Sequence, residues 1–119
     1  MFVTVTFQRA KPGEEDAIIA LHEDWQRHLL AKAKGYRSSE LLSDPSTPGS
    51  FISIVHYDSE EAWKETNDDP EQSAWYGRVI SLISGELVMI KSYQQWQAAL
   101  DVTAQQDGLQ PAHDKLVMD

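Results

Sequence analysis

Gly35-Tyr36-Arg37-Ser38-Ser39-Glu40-Leu41-Leu42 runs into the turn Asp44-Pro45-Ser46-Thr47-Pro48-Gly49. Phe51-Ile52-Ser53-Ile54-Val55-His56-Tyr57 then runs out to Asp58-Ser59-Glu60-Glu61-Ala62. Gly35 is a natural left-handed stop for a preceding helix. Tyr36 to about Ser43 predicts a strand, and the proline- and glycine-rich turn reverses the chain. Phe51 to Tyr57 is almost wholly apolar, which predicts a central strand covered on both faces. Asp58 or Ser59 then caps a new helix whose first turn holds Glu60 and Glu61. Helix stop, strand, turn, strand, helix start is the centre of a β-α-β-β-α-β chain.

The flanks complete it. Phe2 to Arg9 alternates, with Val3, Val5 and Phe7 on one face and Thr4, Thr6 and Gln8 on the other, as a strand does. Lys11-Pro12-Gly13 breaks it. Residues 14 to 34 predict a helix, with Glu14, Glu15 and Asp16 at its positive end and Lys32 and Lys34 in its last turn. Ile18, Leu21, Trp25 and Leu29 recur at helical spacing, and His22 falls within their stripe. On the other side, the helix after Ser59 is interrupted at Asn67-Asp68-Asp69-Pro70. Asp69 reads as a cap and Pro70 as the first residue of a fresh helix running to about Ser84. That helix buries Trp75, Val79, Leu82 and Ile83, Gly85 ends it, and Glu86 to Tyr93 is a fourth strand. Beyond it, Trp96 to Ala104 predicts a short helix and the rest a loose tail.

These elements define an α+β, ferredoxin-like fold: a four-stranded antiparallel sheet with its helices on one face. The domain spans 1–94, with 95–119 as a C-terminal helix or tail. The expected uncovered face is the one carrying Thr4, Thr6 and Gln8. Its mixed character predicts that a second copy packs on it, sheet against sheet, as a C2 homodimer.

Composition restricts function. One domain of 119 residues holds a modest core. A net charge of −9 disfavours nucleic acid and anionic membrane surfaces as partners. The absence of cysteine excludes disulfides, thiolate metal sites and thiol nucleophiles. No signal sequence or membrane-length apolar run is evident, so the expected location is cytoplasmic.

The order of elements resembles the dimeric α/β barrel superfamily and, within it, the antibiotic biosynthesis monooxygenase family. Pro12-Gly13, Gly35-Tyr36 and Leu41-Leu42 carry the likeness, together with Tyr57-x-Ser59-x-Glu61-Ala62, where the family often has Trp-x-Ser-x-Glu-Ala. The likeness spans residues 2 to 93. It implies a cofactor-independent monooxygenase acting on an aromatic or quinol-type small molecule, with no cofactor and no metal. The alternative is a non-catalytic ligand-binding or stress-related protein on the same fold. The family's haem-degrading branch is a weaker match. It uses an Asn on the first strand, which this chain lacks, and alignment sets Thr66 and Tyr76 where that branch has Trp and His.

Candidate site residues follow from the helix break and the apolar stripe. Asn67 and Tyr76 are the expected catalytic pair, polar handles for a substrate oxygen as it loses a proton. His22, Trp25 and Trp75 are the expected substrate-binding residues, two stacking surfaces and a neutral imidazole. Each also has a plainer role: His22 as a core histidine, Trp75 as packing, Asn67 as a cap. No pair among His22, His28, His56 and His113 has metal-ligand spacing. The acidic runs all fall at helix starts and serve the helix dipole.

Overall fold

The computed structural model describes residues 1–98. The elements are β1 (Phe2–Arg9), α1 (Glu15–His28), β2 (Tyr36–Ser43), β3 (Ser50–Tyr57), α2 (Glu60–Asn67), α3 (Pro70–Ser81) and β4 (Val88–Tyr93). The strands form one antiparallel sheet in the order β2-β3-β1-β4. This is the α+β, ferredoxin-like arrangement, with the second helix of the motif divided in two.

Local chemistry sets the boundaries. Gly35 takes a φ of +79°, and its carbonyl accepts the Asp58 amide at 2.8 Å. Ser59 caps α2 by accepting the Ala62 amide at 3.1 Å. Asp69 caps α3 by accepting the Glu71 amide at 2.8 Å, with Pro70 in the first turn. The break expected at Asn67–Pro70 is therefore real.

α1 ends earlier than expected, at His28 rather than near Lys34. Leu30–Lys32 tightens into a 3-10 turn, which carries the Lys32 ammonium to Asp69 (2.9 Å) and Glu71 (2.7 Å) at the start of α3. β4 starts at Val88, not Glu86. The Ser84 amide donates to the Arg9 carbonyl at 2.7 Å, and Gly85 must turn the chain before a new strand can pair with β1. Of the helix expected from Trp96, only residues up to Ala98 are described, and they have no regular structure.

The principal correction concerns the faces of the sheet. Thr4, Thr6 and Gln8 do not lie on the uncovered face. They are only 3%, 8% and 8% exposed, and they point toward the helical layer. The register places Val5 between Ile54 and Ile90, and Phe7 between Ile52 and Val88, on the opposite side. There Phe7, Val88 and Ile90 are among the exposed large hydrophobic residues. The sheet is thus polar toward its own helices along its central strand and apolar outward. β3 is central in the sheet, but its outward residues Ile52 and Ile54 are only half-buried.

The core lies at the two ends and along the helix seam. Ile18, Trp25 and Leu29 of α1 and its exit join Trp75, Val79 and Ile83 with Phe51 of β3. This follows the 3.6-residue stripe of both helices. Between this seam and the middle of β1, the helices do not descend onto the sheet.

Candidate functional site

The gap between the helical layer and the sheet is a half-enclosed cavity of about 590 Å³. Its volume suits a small molecule. Thr4, Thr6 and Gln8 line its floor. Their spacing on alternate residues sets neighbouring side chains about 7 Å apart along the strand. None of the three side chains bonds to a described residue. No fully buried side-chain polar atom among the described residues goes unpaired, so these groups open into the cavity.

The walls are aromatic and rigid. The Trp25 indole N–H donates to Gln72 Oε1 at 2.7 Å, across from α1 to α3. The Trp75 indole N–H donates to the Leu21 carbonyl at 2.7 Å, in the reverse direction. These two reciprocal bonds fix both ring planes. Trp25 stands 5.0 Å from Tyr36 and 6.5 Å from Trp75, centroid to centroid, and Trp75 stands 6.4 Å from Tyr76. The rings form one continuous aromatic surface with favourable tilted contacts.

His22 meets Trp75 edge to face at 5.2 Å. Its Nδ1–H donates to the Ile18 carbonyl at 2.9 Å in the neutral tautomer, which leaves Nε2 as an acceptor. Burial pushes the imidazole below its usual pKa, partly offset by the Ile18 bond. Burial also raises the Tyr76 phenol, so its O–H remains a donor at neutral pH. Asn67 is the last residue of α2, where its own backbone carbonyl accepts the Ser73 hydroxyl at 3.3 Å.

Asn67, Tyr76, His22, Trp25 and Trp75 all line this one cavity. Two residues three positions apart on α1 and three near the break of the second helix are thereby brought together. Sequence reasoning missed Tyr36 and Trp63, which also line it, and Gln72, which orients Trp25. The floor residues were visible as an alternating polar set but were assigned to the other face. Thr66 lies outside the cavity and donates its hydroxyl to the Ala62 carbonyl at 3.1 Å. His56 is on the outward face near Ser38, and His28 is exposed beside Asp24. Among the described residues no group of three or more His, Asp or Glu could hold a metal ion. No helix among them is long and apolar enough to cross a membrane.

With this geometry, comparison with known proteins defines the class. The sequence matches the family model for antibiotic biosynthesis monooxygenase over residues 1–78. The chain belongs to that family. No curated protein sequence matches it significantly. Among solved structures it is similar to SnoaB, a cofactor-independent oxygenase from Streptomyces nogalater, at 10% identity and a TM-score of 0.71, covering 81% of this chain and 94% of that one. A conserved protein from Methanosarcina mazei Go1 matches at 11% identity and a TM-score of 0.71, covering 79% and 92%. A protein from Mycobacterium tuberculosis matches at 18% identity and a TM-score of 0.67, covering 82% and 98%. At these identities the likeness establishes the shared fold.

Proposed function

We propose that this chain is a cofactor-independent monooxygenase that oxidises an aromatic or quinol-type small molecule in the helix–sheet cavity. The observation that carries this is the pairing of a continuous aromatic wall with an unpartnered polar floor. A flat, oxygen-bearing ring would stack on Trp25 and Trp75 and direct its oxygens to hydrogen-bonding groups. The Asn67 amide and the Tyr76 hydroxyl would hold the substrate oxygen on which charge develops as a proton leaves.

The resulting carbanion passes its electrons to dioxygen, and a carbon–oxygen bond forms. Loss of water from the hydroperoxide then leaves a carbonyl. One oxygen atom ends in product and the other in water, and the substrate supplies all four electrons. The protein contributes orientation, exclusion of water and stabilisation of the anion. Oxygen uptake with a panel of hydroquinones and anthrones tests the proposal. Uptake with one oxygen atom from labelled dioxygen in a hydroxyquinone or anthraquinone product supports it. Binding without uptake across the panel replaces it with a non-catalytic ligand-binding role.

The assembly follows from the outward face. Val5, Phe7, Leu42, Ile54, Val88 and Ile90 form an apolar surface that one helical layer cannot reach. A second copy packed sheet to sheet would remove it from water. Sedimentation at micromolar concentration should give a dimer, and Phe7→Glu should shift it to monomer. A wild-type monomer at that concentration would refute the assembly.

A further inference from the structure

We infer that the cavity selects an aromatic molecule bearing a positive charge, an ammonium-substituted arene, and turns away carboxylates and phosphates. This rests on the small-molecule cavity proposed above and specifies its ligand class. Side chains from four separate elements carry the argument.

The first observation is the wall. Trp25, Tyr36, Trp75 and Tyr76 form a chain of adjoining rings. The positive edge of each indole, its N–H, is already occupied by Gln72 Oε1 or the Leu21 carbonyl. What remains toward the cavity is ring surface, mostly that of the half-buried Tyr36 and Tyr76 because Trp25 and Trp75 are buried, and a ring face carries the negative end of the quadrupole. Such surfaces attract ammonium groups and repel anions.

The second observation is the charge around it. Glu23 of α1 and Glu40 of β2 border the cavity, and both are exposed. Neither is within ion-pair distance of a described Lys or Arg, whereas Asp24, Asp58, Glu60, Asp69 and Glu71 all are. No Lys or Arg lines the cavity among the described residues. A chain of net charge −9 adds a negative field of longer range.

The third observation is the floor. Thr4, Thr6 and Gln8 are more than nine-tenths buried, face the cavity and lack a described partner. They satisfy neutral ring substituents, hydroxyl or carbonyl, but offer no countercharge. A carboxylate here would lose its hydration, face ring surfaces of like sign and find no cation. A quaternary ammonium is weakly hydrated and meets favourable charge along the Trp25–Tyr36–Trp75–Tyr76 wall, away from Trp63, whose ring already holds the Lys91 ammonium at 4.8 Å. Its charge would also offset the oxyanion that develops in the proposed chemistry.

Three para-substituted phenols test this against the full-length protein by quenching of tryptophan fluorescence: 4-hydroxyphenyltrimethylammonium, 4-tert-butylphenol and 4-hydroxybenzoate. The first two share shape and differ in charge. The ammonium should bind about fivefold to thirtyfold tighter than the tert-butyl compound, the range expected for cation–π contact. The benzoate should bind weakest. In the Glu23→Gln/Glu40→Gln variant, altered only at exposed positions, the ammonium's advantage should shrink at low salt. Equal or tighter binding of the tert-butyl compound overturns the charge preference and leaves the cavity reading standing. Tightest binding of the benzoate does the same. Failure of all three to bind overturns both.

Discussion

Gly35→Ala isolates the contact on which the fold-deciding stretch closes. Gly35 has a φ of +79°, and a β-carbon built there would lie 2.6 Å from the Ala62 β-carbon. Two costs follow. An L-residue in the left-handed region costs about 1–2 kcal/mol. A methyl group forced that far inside the normal 3.5–4.0 Å carbon contact costs about 1–3 kcal/mol more. The sum, about 2–5 kcal/mol, is a large share of the roughly 5–15 kcal/mol that holds a domain folded. Ala62→Gly alone should cost about 1 kcal/mol, the helix penalty of glycine. The double variant should recover the steric part but not the backbone part, giving a coupling of about 1–3 kcal/mol in a double-mutant cycle. Urea unfolding at 25 °C, followed by tryptophan fluorescence, measures all four proteins, with unchanged m-values required for the comparison. Strict additivity, or a Gly35→Ala variant within 0.5 kcal/mol of wild type, would refute the reasoning. The variant also bears on the site, because Tyr36, the next residue, carries the ring that meets Trp25.

Three further outcomes are expected. Tyr76→Phe and Asn67→Ala should each lower turnover about 10²-fold while changing KM less, because each removes a hydrogen bond that strengthens as charge develops; full turnover in both would remove them from the mechanism. His22 is held neutral by burial, so below pH 6.5 the unfolded chain takes up a proton that the folded chain refuses, and stability falls as pH is lowered. That slope, at most about 1.4 kcal/mol per pH unit, should be reduced in His22→Gln over pH 7.5 to 5 in urea titrations, and an unchanged slope would contradict it. Gln72→Leu should cost about 1–3 kcal/mol by leaving the Trp25 N–H without its acceptor. It should also weaken binding of an aromatic probe beyond the loss of stability; unchanged affinity would mean that the orientation of Trp25 is irrelevant to the site.

Much of the fold was legible because it is written in local chemistry. Gly35, Ser59 and the Asp69-Pro70 pair act through their own backbones and near neighbours, so their meaning survives without a structure. The candidate residues were legible for a related reason. His22 and Trp25 share the buried stripe of α1, and Trp75 and Tyr76 follow a helix start, so all were bound to face the sheet near one another. The orientation of β1 was not legible. Alternation separates Val3, Val5 and Phe7 from Thr4, Thr6 and Gln8, but it does not say which set faces the helices. The usual preference places the apolar set inward. Here the helices stand off the middle of the sheet, and the inward set meets a cavity, so the preference is reversed. The reciprocal indole bonds were likewise hidden, because they join residues 47 and 54 positions apart.

That inverted strand bears on how such proteins diversify. Thr4, Thr6 and Gln8 border the cavity and make no side-chain hydrogen bond to a described residue, so exchanging them for other side chains of similar size breaks no bond within the scaffold. The contacts that define the backbone lie elsewhere, at the helix seam and the capped turns. Mutation can therefore sample new ligand-facing surfaces on β1 while the scaffold persists. A backbone shared at TM-scores of 0.67 to 0.71 by chains only 10 to 18% identical is what such a division would leave behind.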